Sequence, residues 1–181
     1  MNKTIINQIV YTLFAAAFLV SCSSGVSLQR YFVDNQETKN FISQDIPLSM
    51  VEVDQSEFTE EQKEAYKSVS KLNFLGYKAN ENNAEELQAE IETVKTILSD
   101  SKYKDLMAFN DKGNKIVVKY IGDDDEADEV VVFGSSKEMG FAVVRVLGDN
   151  MSPDKMVTLI GAMQKADVDE NQIQDIMNFF K

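Results

Sequence analysis

The chain has 181 residues, 44% of them hydrophobic and 27% charged, which suits one domain with a core of its own. A single cysteine rules out an internal disulfide framework, and the lack of histidine removes the usual zinc ligand and the usual neutral-pH base. With 18 Lys+Arg against 30 Asp+Glu, the net charge of −12 opposes nucleic-acid phosphates, so no nucleic-acid partner is expected.

Met1-Asn2-Lys3 forms a short positive start, and from Ile9 to Val20 every residue but Thr12 is apolar or aromatic. That run suits the apolar region of a signal peptide and is short for a membrane span, which needs about 20 apolar residues. It ends in Leu19-Val20-Ser21-Cys22, which resembles the bacterial lipobox, where small residues precede a cysteine that is acylated and becomes the first residue of the mature chain. The alternative is an uncleaved anchor helix with an incidental cysteine. The chain's only cysteine lies at this spot and a polar Ser23-Ser24-Gly25 follows, so residues 1–21 are expected to be a lipoprotein signal peptide and Cys22 the lipidation site. An acidic domain without a polybasic patch has no second anchoring signal, and one acyl chain alone binds marginally, so attachment rests on the several chains of a lipid-modified cysteine. Ser23 rather than Asp after Cys22 is similar to outer-membrane sorting signals, which places the protein on the periplasmic face of the outer membrane. The tether, residues 22–27, reaches on the order of 12 Å.

One α+β domain is expected over residues 28–181. Leu28, Tyr31, Phe32 and Asn35 predict a short amphipathic helix. Thr59-Glu60-Glu61-Gln62 has capping-box spacing, and Ala65, Tyr66, Val69 and Leu72 follow at helical steps. Lys71–Lys78 reads as a strand, and Asn83 opens a helix carrying Leu87, Ile91, Val94 and Leu98. Four strands follow at hairpin separations: Leu106–Phe109, Lys115–Ile121, Glu129–Phe133 and Phe141–Leu147, an antiparallel meander. Ser152 is the expected cap of a helix with Pro153 at its first position and Met156, Leu159, Ile160 and Met163 as its stripe; Asp169 caps a last helix with Ile173, Ile176, Met177 and Phe180. The expected architecture is a mostly antiparallel sheet of four to five strands with helices packed on one face.

Motifs for chemistry are sparse. Asp123–Glu129 holds six acids in seven positions, yet as a calcium loop it places Ala127, Asp128 and Gly134 at positions five, six and twelve, so a solvated hairpin loop is the simpler reading. Asp167–Asn171 fails at Gln172 and Asn178 and reads as a helix start. Ser-x-x-Lys occurs at Ser68/Lys71, Ser99/Lys102 and Ser152/Lys155 without the partner motifs of the penicillin-binding class. Phosphate- and dinucleotide-binding glycine motifs are absent. No catalytic residues, metal ligands or cofactors are therefore assigned. Methionines on helix faces are read as core, and Arg145, alternating in an apolar strand, as an outward or rim cation.

The stretch Gly140–Asp149, preceded by Asp128-Glu129-Val130-Val131-Val132 and followed by a Ser-Pro helix, resembles the domain-of-unknown-function 4252 family, small lipid-anchored envelope proteins of Gram-negative bacteria. Phe41-Ile42-Ser43 and Met50 are similar to that family's N-terminal strand–helix segment. The resemblance covers Leu28 to about Met163 and implies a lipoprotein with an α+β periplasmic domain; it brings no activity and no catalytic residues. The expected function is a non-catalytic binding or interaction module, anchored to the membrane through Cys22, with an envelope protein or a lipid-like molecule as partner. The alternatives are a carboxylate-dependent hydrolase and a calcium-responsive module.

Overall fold

The structure is a computed structural model that describes residues 26–50, 53–111, 114–163 and 174–180. Its first element, α1 (Leu28–Asn35), starts where the Ser27 hydroxyl accepts a bond from the Arg30 N–H at 3.2 Å. Then come β1 (Phe41–Pro47), a single 3₁₀ turn (Leu48–Met50), α2 (Glu60–Ser68), β2 (Val69–Lys78) and α3 (Ala84–Leu98). The remainder is β3 (Lys104–Asp111), β4 (Asn114–Gly122), β5 (Ala127–Ser136), β6 (Gly140–Met151), α4 (Pro153–Met163) and α5 (Gln174–Phe180).

All strands join one antiparallel sheet in the order β1-β2-β6-β5-β4-β3. The meander β3 to β6 is present as expected, while the sheet has six strands rather than four to five. The sixth is β1, and Pro47, which has no N–H to donate, closes this edge strand without costing an interior bond.

Helices cover both faces rather than one. Leu75 and Tyr77 of β2, Val131 and Phe133 of β5, and Phe141 and Val143 of β6 pack under α1 and α3. Val130, Val132 and Val146 point the other way, toward α2 and α4. Val130–Phe133 is a run of four apolar side chains, and such a run has no solvent side to offer, so both faces need a cover.

The capping box of α2 forms as expected: the Thr59 side chain accepts from Gln62 N–H at 3.2 Å and the Gln62 side chain accepts from Thr59 N–H at 2.9 Å. The helix ends at Ser68 and does not extend to Leu72. A bulge between Val69 and Lys71 shifts the register against β6 by one residue, so Val69 and Leu72 reach the same face at a spacing of three. A bulged strand thus produced the spacing that resembled a helix. Asn83 precedes α3 but caps nothing with its side chain, which instead bonds Asn80 N–H at 2.7 Å and Lys78 C=O at 2.9 Å. Ser152 caps α4 by accepting from Lys155 N–H at 3.3 Å.

Candidate functional site

The α2/α4 side of the sheet contains an apolar cavity of about 520 Å³, within the ~300–1,000 Å³ usual for small-molecule sites. Its floor is Leu72 of β2, Val144 and Val146 of β6, Val130 and Val132 of β5, with Ile116 and Phe109 at the far side. Met156, Leu159, Ile160 and Met163 of α4 form the roof, and Leu48, Tyr66 and Val69 close the end. Sheet alternation supplies the floor, and the spacing of three and four along α4 supplies the roof. Met156 is buried, while Met163 is half-buried at the cavity edge; the Met177 side chain lies outside the described residues. Among the described lining residues no side chain is charged. Burial pushes the Tyr66 phenol above its ordinary range.

The opposite face holds the buried charges found among the described residues. Arg145, 8% exposed, donates through Nε to Glu129 Oε1 at 2.7 Å and through Nη2 to Oε2 at 2.8 Å, and Glu129 is 5% exposed. The expectation of an outward or rim cation is thus overturned. The carboxylate offsets the desolvation of the guanidinium and holds its pKa above the ordinary value. Asp45, Asn73 and Arg145 stand opposite one another on β1, β2 and β6, with Asn73 donating to Asp45, so a polar row crosses three strands. Phe32 of α1 covers the row, its ring centroid 5.6 Å from the guanidinium carbon. Glu129 and Arg145 were both legible as charges inside apolar strands. That two such charges stand on neighbouring strands was the missed signal.

The three Ser-x-x-Lys serines are occupied locally. Ser68 Oγ donates to Ala65 C=O and Ser99 Oγ to Thr96 C=O, both at 2.7 Å, and Ser152 is the α4 cap. In the acidic loop, Asp123 N–H bonds Glu126 C=O at 2.8 Å, and Asp124 takes Lys104 Nζ at 2.9 Å and the Tyr120 hydroxyl at 3.3 Å. Lys104 beside it holds the Asp124 carboxyl below the usual range. No group of three or more ligating side chains converges among the described residues. The Asp167–Asn171 segment, the Asp169 cap and Cys22 lie outside the described residues. Glu92 and Asp100 border a cleft of about 380 Å³ beside α3, where Glu92 is paired with Lys95 at 2.7 Å and Asp100 accepts from Lys102 N–H at 3.0 Å.

The family described as a domain of unknown function, DUF4252, matches residues 31–178, from α1 into α5. The chain belongs to this family. No curated protein and no solved structure matches it. The DUF4252 match reaches past Met163 to the last helix, beyond the extent expected from the β6 motif. The glycines that punctuate that motif have a structural cause. Gly140 has φ +114°, and a Cβ there would stand 1.9 Å from Tyr77 C=O. At Gly148 a Cβ would stand 1.9 Å from Ser68 C=O, where α2 passes into β2. Both mark the close fit of β6 against β2.

Proposed function

We propose that this DUF4252 protein is a lipid-anchored binding module of the bacterial envelope, held through acylated Cys22 on the periplasmic face of the outer membrane, with the apolar cavity as its ligand site. The cavity is the observation that supports a binding role: about 520 Å³ bounded by aliphatic side chains, two aromatic rings and methionines, with no charged side chain among the described lining residues. The Leu19–Cys22 run and the short polar stretch after it support the anchor. The two keep company, because a module tethered within roughly 12 Å of a bilayer meets apolar molecules at high local concentration.

Two measurements test this reading. Cells fed labelled palmitate should incorporate the label into the wild-type chain and not into Cys22→Ser. A neutral environment-sensitive dye should gain fluorescence on the wild-type protein and lose it when Ile160→Trp fills the cavity. An unlabelled wild-type chain removes the anchor from the proposal, and a dye signal indifferent to Ile160→Trp removes the site.

A further inference from the structure

The apolar cavity has a neighbour at one end. At Leu48, Tyr66 and Val69 it meets a second cavity of about 440 Å³, and these three residues line both. The second is half polar: Ser49, Gln55, Lys67 and Ser70 complete its wall, and no acid borders it among the described residues.

Lys67 stands out in a chain of net charge −12. Among the described residues that line the two cavities, Lys67 is the one charged side chain, and it is exposed. The arrangement is a greasy chamber beside hydroxyls, an amide and one ammonium. A ligand complementary to both halves must itself be divided in two, with an alkyl chain for the first and an acceptor-rich negative group for the second.

Resting on the binding role assigned above, we propose that the ligand is a single-chain amphiphile with an anionic head, its chain between the sheet and α4 and its head at Lys67. Each methylene buried strengthens binding roughly fourfold, so the tail supplies most of the affinity. The head supplies the choice between ligands, because one exposed charge pair contributes at most about 1 kcal/mol, or roughly fivefold.

The experiment uses the lipidated protein in nanodiscs, with a photoreactive long-chain fatty acid and the fatty alcohol of equal length, each run at pH 8 and mapped by peptide mass spectrometry. Both probes should label peptides spanning Met156–Met163, the acid about fivefold more than the alcohol. Lys67→Glu should abolish that preference. Ile160→Trp should suppress both probes; Val144→Phe, from the opposite wall, serves if circular dichroism shows the first variant unfolded. Equal labelling by acid and alcohol, or a preference that survives Lys67→Glu, overturns the anionic head and leaves the cavity role standing. Failure of both probes to label α4 overturns the cavity role itself.

Discussion

Neutralising Glu129 tests whether the polar row on the α1 face is a buried device or a surface pair. Side-chain exposures of 10% for Arg145 and 7% for Glu129, with two bonds of 2.7 and 2.8 Å, place the pair out of water. Glu129→Gln leaves the guanidinium desolvated under Phe32 with an amide that offers no charge. Removing one partner of such a pair costs about 3–5 kcal/mol, whereas an exposed pair would cost ~0–1 kcal/mol. Total stabilities run from about 5 to 15 kcal/mol, so the loss is a large share and lowers Tm by roughly 6–20 °C. Replacing both partners with apolar side chains of similar volume, Glu129→Leu with Arg145→Met, removes the charge together with its counter-charge and should return stability to within ~1–2 kcal/mol of wild type. Urea unfolding followed by circular dichroism on the two single variants and the double variant measures all three. A Glu129→Gln loss under about 1 kcal/mol, or a double variant as unstable as either single one, would refute the argument that this pair is buried under α1.

Three further outcomes follow from the same structure. Gly148→Ala forces a Cβ against Ser68 C=O, a backbone atom that cannot swing away, so the urea midpoint should fall by the equivalent of about 1–3 kcal/mol or more. Thr59→Ala removes the α2 capping box and should cost ~1 kcal/mol in the same assay. Tyr77, pushed up to about 12 from 10 by burial and then by Glu86, keeps its proton in the folded chain at pH values where the unfolded chain releases it. Stability from this group is therefore complete below pH 10 and lost as pH rises from 10 to 12; Tyr77→Phe should flatten the urea midpoint over that window. A slope unchanged by Tyr77→Phe would assign the alkaline loss to other groups, Tyr31 first, since burial and Glu90 also push its phenol up.

Local signals on this chain were readable because they act within a few residues. The α2 capping box, the Ser152–Pro153 start of α4, the helix from Ala84 and the four-strand meander all depend on neighbours in sequence, and all formed. The same local reading misled at Val69 and Leu72, where a bulge changed the period, and at Arg145, whose burial depends on Glu129 sixteen residues away.

The sequence alone determined most of the helices and the four-strand meander, and it supplied the expectation of an acylated Cys22, because capping, periodicity and a terminal motif need no distant partner. Tertiary structure decided the pairing of β2 with β6, the covering of both sheet faces, the Arg145–Glu129 pair and the cavity beneath α4. Each of these joins residues far apart in the chain, and no local spacing encodes which apolar surface meets which. A cavity is space that several elements enclose together, so it exists only once they have packed.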